Sequence, residues 1–306
     1  MYETKIKEDD LIPATFDIIF KELFTSPETR DYASSLINNI THIPKDLLKN
    51  NMVILNNELG VSNHKDKKMR TDILIDVEKT IINLEMNKYY YDGLFEKNNA
   101  YHNKLVAEQF DESQDYHQVK KVIQICFDDF NRFDDRMVIK FVMADLERGI
   151  LEDKNVEKYH IILPNLKYRC YNNTELSKFD KELLLLKENN LDKLKSLVGD
   201  DKGLMKSVEK REKLSQDKKI IGLYDAEKME RYERNCRLAY AEKIGLEKGM
   251  KKGMEKGMEK GMEKGIKQGS FQKQQEIAKN MLKDDFPIET IMKYTNLSLE
   301  QLESLK

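Results

Sequence analysis

The spacing of hydrophobic residues predicts helices and strands in the first part of the chain and helices alone in the second. Apolar residues recur every three or four positions in residues 14–24, 30–40 and 92–110, as they do in amphipathic helices. Shorter segments with the apolar pattern of strands are residues 52–55, 70–77, 81–87, 121–130, 136–145 and 157–163. The last two predicted strands are expected to pair across the polar residues 147–155. This combination predicts an α/β fold in which helices flank a mixed sheet.

Two of the predicted strands, which begin at Arg70 and Ile81, are expected to form a β-hairpin because only three residues separate them. Apolar and polar residues alternate in both, so we expect one face of each strand to be buried. Loops of two or four residues give the same register, which places Asp72 opposite Glu85 and Arg70 opposite Asn87. A shift by one residue would pair the polar face of one strand with the apolar face of the other.

This register brings two carboxylates together. Asp72 and Glu85 would repel each other across the strands, so a sequence that keeps both favours a cation between them. Asn87 follows two residues after Glu85 and therefore lies on the same face. Such a pair suits Mg²⁺ or Mn²⁺, with the backbone carbonyl of Met86 as a further ligand, and the ion would activate water against a phosphodiester. The alternative is two solvated carboxylates on an exposed sheet face.

Composition and charge exclude several classes of protein. The 306 residues include 53 basic and 55 acidic residues, which excludes a globally basic nucleic-acid coat but not a local basic groove. No apolar run approaches the ~18 residues of a membrane helix, and the charged N-terminus lacks the apolar core of a secretion signal. The three scattered cysteines fit neither disulfides nor zinc and favour a reducing cytoplasm.

Other cofactor sites have no support in the sequence. A glycine-rich nucleotide-binding loop is absent, so we expect no organic cofactor. The five histidines lack the spacing of metal ligands, and each is expected at the surface or in the core.

Several segments occur in an order that is typical of one family. They are FDIIFKELF (residues 16–24), NELG (57–60), KKMRTDILI (67–75), IINLEMN (81–87), the helix with Lys97 and Tyr101, YHQVKKVIQICFDDF (116–130) and ILPNL (162–166). Together they resemble the PD-(D/E)XK nuclease superfamily, and specifically the recombination-promoting nucleases that are often described as PD-(D/E)XK family transposases. The Glu-Lys-Gly repeat and the ending IETIMKYTNLSLEQL are similar to those of many members, so the resemblance covers nearly the whole chain.

The resemblance implies a restriction-endonuclease-like core and a metal-dependent endonuclease that cuts double-stranded DNA with little sequence specificity. Asp72 and Glu85 match the metal ligands. Asn87 falls where the superfamily has Lys and this group usually has Gln; it lacks a positive charge but can orient the attacking water by a hydrogen bond. Asp17 and Lys21 match the first helix motif, and they either assist near the metal or form a salt bridge between helix and sheet.

A basic cluster precedes Asp72 in the sequence. Its members Lys65, Lys67, Lys68 and Arg70 are expected either to contact DNA phosphates, which needs no particular base sequence, or to form a solvated loop.

Two other functions stay open. One is a non-catalytic DNA-binding or assembly protein on the same fold, in which the change at Asn87 has weakened activity. The other is a transcriptional regulator, because residues 288–302 faintly resemble a helix-turn-helix. That segment has no basic recognition face, so a packing or oligomer module is the favoured interpretation.

Composition divides the chain into four predicted regions. They are a nuclease-like domain (1–187), a charged helical segment (188–240), a repeat with glycine at every fourth position (241–270) and a tail of three short helices (271–306). Residues 183–198 are predicted to form one amphipathic helix. Glycine costs about 1 kcal/mol per helical site relative to alanine, so the repeat is either a flexible linker or a helix that another helix approaches closely. The second alternative, which we favour slightly, predicts a homo-oligomer.

Overall fold

Two compact units make up the chain, residues 1–226 and residues 227–306. The computed structural model describes residues 10–59, 69–110, 118–131, 135–166 and 175–305, with the main chain alone for 150–155. Within those ranges, no helix combines the length and the apolar composition that crossing a membrane requires. The predicted boundaries at residues 187, 240 and 270 stay a prediction.

A mixed sheet forms the centre of the first unit. The strands of the described part are β1 (Val53–Ile54), β2 (Glu58–Leu59), β3 (Met69–Arg70), β4 (Ile73–Val77), β5 (Thr80–Asn87), β6 (Lys121–Asp128), β7 (Val138–Asp145) and β8 (Ile150–Ile162). Six of them follow the order β1-β4-β5-β6-β8-β7, and β2 pairs with β3 separately. Strands β5, β6 and β8 are parallel, whereas the pairs β1–β4, β4–β5 and β7–β8 are antiparallel.

Helices cover both faces of this sheet. The helices of the described part are α1 (Asp17–Thr25), α2 (Arg30–Thr41), α3 (Lys45–Asn51), α4 (Leu94–Ala107), α5 (Lys178–Lys187), α6 (Leu191–Val198), α7 (Lys202–Gln216), α8 (Lys218–Lys283), α9 (Ile288–Thr295) and α10 (Leu299–Glu303). On one face, Phe20 and Phe24 of α1 pack on Phe127 of β6, with ring centroids 5.8 and 5.7 Å apart. On the other face, Asn98 of α4 contacts Cys126 of β6. The predicted α/β fold, with a mixed sheet flanked by helices and a helical C-terminal extension, is confirmed.

The hairpin of β4 and β5 has the predicted register. Val77 pairs with Thr80 across a two-residue turn, and Ile73 pairs with Leu84 at the far end of the ladder. Glu78 in the turn adopts a positive φ of 48°. Parity of the apolar positions was therefore sufficient to predict which residues face each other.

Two features of the predicted hairpin are wrong. The ladder ends at Ile73, so Asp72 does not form a strand pair with Glu85, and Arg70 pairs with Glu58 in the two-stranded sheet instead of with Asn87. The polar face of β5 is not exposed either: Glu85 and Asn87 are both buried, because α4 lies over this face. The polar residues of β5 consequently form a layer in the interior.

Two predicted segments also have different boundaries. The helix predicted over residues 183–198 is interrupted, since α5 ends at Lys187 and α6 begins after Asn190, whose side chain caps the new helix by accepting from the Lys193 N–H. Strands β7 and β8 pair as predicted, but β8 begins at Ile150, so the connection is only the turn of residues 146–149.

The glycine repeat lies within α8 and is helical. The first of the three predicted tail helices is the end of α8, whereas the other two correspond to α9 and α10. Pro287 occupies the N-cap of α9, and the predicted capping box between Ser298 and Gln301 begins α10.

A buried arginine ties the start of the chain to the helices after the sheet. Arg211 of α7 is fully buried and donates to the carbonyl oxygens of Ile12, Leu185 and Glu188 at 2.6–3.1 Å and to the side chain of Asn189. Burial lowers the pKa of Arg211 to about 10. The planar guanidinium suits this site because its several N–H groups can reach separate acceptors.

We expect Arg211→Ala to lower the free energy of unfolding by about 3 kcal/mol or more, because buried carbonyl oxygens lose their donors. Arg211→Lys should recover only part of the loss, since an ammonium cannot reach all four acceptors. Urea unfolding followed by tyrosine fluorescence measures both. The exposed Arg148 provides a control, and its alanine variant should change stability by no more than ~0.5 kcal/mol. Equal midpoints for Arg211→Ala and Arg148→Ala would contradict this role.

Candidate active site

Asp72 and Glu85 come together where the β4–β5 ladder ends. The N–H of Met86 donates to Oδ2 of Asp72 at 2.7 Å, which holds this carboxylate against β5. A hydrogen bond from the Asp72 main chain in turn reaches the Glu85 carboxylate. The two acidic residues that the register predicted to face each other therefore lie at one site.

Glu85 is deeply buried, with only 1% of its surface exposed. The amide of Asn83 donates to its Oε1 at 3.3 Å, and the ammonium of Lys97 lies 3.6 Å from its Oε2. Asp72 is half-buried. The alternative of two solvated carboxylates is therefore wrong for Glu85.

Burial and mutual repulsion make both carboxylates hard to ionise. Burial raises the pKa of Glu85 to about 7, with the Asp72 charge adding to the effect and Lys97 opposing it. Burial also raises the pKa of Asp72, against the opposing hydrogen bond from Met86. Desolvation disfavours the charged form of a carboxylate, and a like charge nearby does so further. The site thus favours either a proton or a cation on this pair.

Lys97 brings a positive charge to the site from α4. Burial acts to lower the pKa of Lys97, but the charge of Glu85 and its neighbours outweighs burial, and the pKa is raised. Its ammonium also lies 5.0 Å from the ring centroid of Tyr101, one turn later. The sequence prediction did not include Lys97 among the site residues, although the helix with Lys97 and Tyr101 belongs to the family resemblance.

Asn87 belongs to a buried chain of hydrogen bonds. Its Nδ2 donates to Oδ1 of Asp128 at 2.8 Å, and Oδ2 of Asp128 lies 2.8 Å from Nδ1 of His160. These contacts join β5, β6 and β8. The nitrogen of the Asn87 amide is therefore engaged within the protein. Asp128 and His160 were missed because their proximity depends on strand order, which no local pattern in the sequence reveals.

The remaining predicted residues fall in different places. Asp17 and Lys21 form an ion pair of 2.8 Å within α1, and the charges of both act on the Asp72 carboxylate. Their salt bridge is therefore within the helix rather than between helix and sheet. Arg70 is exposed. Three residues of the basic cluster lie outside the described residues, namely Lys65, Lys67 and Lys68.

A family model described as PD-(D/E)XK nuclease family transposase matches residues 14–241. The chain belongs to this family. No curated protein and no solved structure matched the chain. Membership in the PD-(D/E)XK nuclease family supports a nuclease-like or transposition-related function.

The oxygen donors of this PD-(D/E)XK site fit a hard divalent cation. Within the described ranges, no group of three or more His, Cys, Asp and Glu side chains could hold a metal ion. An ion placed here would meet the carboxylates of Asp72 and Glu85, together with the carbonyl of Met86, which lies on the same strand edge as the N–H that reaches Asp72. Two carboxylates and one carbonyl suit an ion that keeps several water ligands, as Mg²⁺ does.

The raised pKa of Glu85 predicts a pH-dependent stability. In the unfolded chain the group has its ordinary pKa of 4.5, against about 7 in the folded chain. The stability that comes from holding the proton is therefore present below pH ~4.5 and lost as the pH rises through ~7. Relative to Glu85→Gln, the wild type should lose roughly 3 kcal/mol between pH 4.5 and pH 8 in EDTA. Urea unfolding at each pH measures this difference, and a constant difference would contradict the assignment.

Proposed function

We propose that the chain is a metal-dependent DNA endonuclease that hydrolyses phosphodiester bonds with low sequence specificity. The observation that supports this most is the convergence of the half-buried Asp72 and the buried Glu85 beside the ammonium of Lys97. Two carboxylates and one cation in a nuclease family suit the hydrolysis of a charged ester. Mg²⁺ is the proposed ion, with Mn²⁺ as the alternative.

The proposed ligands are Asp72, Glu85 and the Met86 carbonyl. A bound divalent ion supplies positive charge to the phosphate and lowers the pKa of bound water. The protein contributes the positions of the donors, since the Met86 N–H fixes the Asp72 carboxylate and Asn83 fixes that of Glu85. Ion binding would relieve the repulsion that raises the pKa of Glu85.

Other side chains have proposed roles around the scissile phosphate. Asn87 orients the attacking water through its carbonyl oxygen, while Asp128 holds the amide in place. Lys97 balances negative charge on the phosphate and supplies the positive charge that Asn87 lacks. Asp17 and Lys21 assist from α1 through their charges on Asp72.

The proposed substrate is double-stranded DNA. Lys65, Lys67, Lys68 and Arg70 would contact its phosphates, which fixes the position of the duplex without reading its bases. Low sequence specificity follows from such contacts. As a recombination-promoting nuclease, the protein would act in the cytoplasm in recombination, on mobile elements or against foreign DNA.

A second candidate is a catalytically weakened DNA-binding or assembly protein on the same fold. The contact between Asn87 and Asp128 favours it, because the amide nitrogen of Asn87 is already bound within the protein. Such a protein would shift the mobility of DNA in a gel but would not cleave the DNA in the presence of any divalent metal ion. A transcriptional regulator would instead bind one specific operator and would not nick DNA.

We further propose that α8 self-associates. The apolar residues of its repeat are exposed, namely Leu246, Met250, Met254, Met258, Met262 and Ile266. Nothing lies within 4 Å of the Cβ positions of the repeat glycines, which leaves room for the backbone of a second copy. Contact between copies would offset the cost of glycine in the helix.

We expect Asp72→Ala and Glu85→Ala each to abolish Mg²⁺-dependent nicking of a supercoiled plasmid, because each removes a metal ligand. The assay compares Mg²⁺, Mn²⁺, Ca²⁺ and EDTA. The matched control is Asp76→Ala, which removes a carboxylate of β4 that pairs with Lys120 and should leave nicking unchanged. Circular dichroism checks that each variant is folded. Equal cleavage by wild type and both site variants would refute the proposed ligands.

Lys97→Ala should slow single-turnover nicking by on the order of 100-fold, because charge that balances the transition state is lost. Lys97→Arg should keep part of the rate. Lys104→Ala, on the same helix and paired with Glu108, is the control and should leave the rate unchanged. A Lys97→Ala rate equal to that of Lys104→Ala would exclude a role for this ammonium.

A further inference from the structure

A cleft opens between α4 and the β7–β8 pair, on the face of the sheet that carries Glu85. Its volume is about 490 Å³. The walls include Phe95 from α4, Phe141 and Met143 from β7, and Lys158 and His160 from β8. The cleft is thus largely aromatic and apolar, with a few polar groups, as is usual for sites that bind small planar molecules.

Three aromatic rings define one end of this cleft. The rings of Phe95 and Phe141 both lie 5.6 Å from the ring of His160, edge to face. His160 is buried and its Nδ1 is held by Asp128, so its ring orientation is fixed. Phe141 is 46% exposed and Met143 is exposed beside it. Together with Val142 they form a contiguous exposed apolar surface in the lining of the cleft, and such surfaces often mark binding sites.

The cleft lies close to the proposed catalytic carboxylates. Glu85 pairs with Cys126, and Cys126 pairs with His160, so these three residues form one row across β5, β6 and β8. Two strand spacings separate Glu85 from His160, which is about 10 Å. Bases in a stacked strand are ~3.4 Å apart, so a base only a few steps from the cut phosphate can reach the cleft.

We propose that this cleft binds an unstacked nucleobase of the DNA strand that is cut. The faces of a base can stack on Phe141, and its polar edge can meet the imidazole of His160 and the ammonium of Lys158. A base within an intact duplex cannot enter such a cleft without leaving the stack. The inference rests on the proposed nuclease function and narrows its substrate to duplexes with unpaired bases near the cleavage position.

Fluorescent oligonucleotides test this proposal independently of cleavage. Two duplexes carry 2-aminopurine, one at a single-base bulge and one fully paired, and both are titrated with the full chain in EDTA. We expect the wild type to bind the bulged duplex more tightly and to change its fluorescence. Phe141→Ala should weaken binding of the bulged duplex about 10-fold, in line with the loss of one base–aromatic stack, and leave the paired duplex unaffected.

Two further variants separate stacking from other effects. Phe141→Leu keeps an apolar side chain but should also lose affinity for the bulge, because it lacks an aromatic face. Leu146→Ala changes a residue that is 94% exposed in the turn of the same strand pair and should leave both affinities unchanged.

Several outcomes would overturn the proposal. They are equal binding of both duplexes by the wild type, equal weakening of both by Phe141→Ala, and binding of free deoxyadenosine monophosphate as tightly as of the bulged duplex. The last outcome would indicate a free-nucleotide site. Bulge-specific binding without any plasmid nicking would support base binding in the cleft and refute the proposed nuclease activity. Plasmid nicking without a preference for the bulged duplex would support the nuclease activity and refute base binding in the cleft.

Discussion

The hydrogen bond from the Met86 N–H to the Asp72 carboxylate is the contact on which the site depends. Regular pairing of β4 with β5 stops at Ile73 and Leu84, which lie one residue from Asp72 and two residues from Met86. The next main-chain donor of β5 on this edge, the Met86 N–H, would be left without a partner at a partly buried position, and the Asp72 side chain supplies that partner. One interaction therefore both completes the edge of the hairpin and brings an acidic group beside Glu85.

The same constraint explains the polar interior beneath α4. Three residues of β5 that face this helix are polar, and their neighbours on β6 and β8 include Asp128 and His160. Burying such groups is unfavourable unless they find partners. The Glu85 carboxylate finds a partner in Lys97, and Asn87 joins a chain of hydrogen bonds through Asp128 to His160. The polar layer beneath α4 could not stabilise the domain alone. Apolar packing of α1 and α2 on the opposite face of the sheet provides the additional stability.

How much of the fold and of the site could be predicted from the sequence depends on how far apart in the chain the interacting residues lie. The hairpin and its register are local, so alternation of apolar residues sufficed to predict the register and to bring Asp72 to the same end of the hairpin as Glu85. The break between α5 and α6 was missed because the apolar spacing continues through it, although Asn190 is a typical helix cap. The neighbours of Asn87 could not be predicted from the sequence, since they depend on the order of the parallel strands and on the helix that covers them. Without an observed sheet order, a lysine on α4 and a histidine on β8 look like ordinary surface or core residues.

The position of Lys97 has a consequence for how such a site can diversify. The carboxylates are held by strands whose main-chain hydrogen bonds leave little freedom, whereas the ammonium comes from a helix that is attached through side chains. The positions of the two carboxylates and the positive charge beside them are therefore supplied by separate elements of the domain. A substitution on α4 can change the electric field around the acidic pair while the strands keep the positions of the two carboxylates.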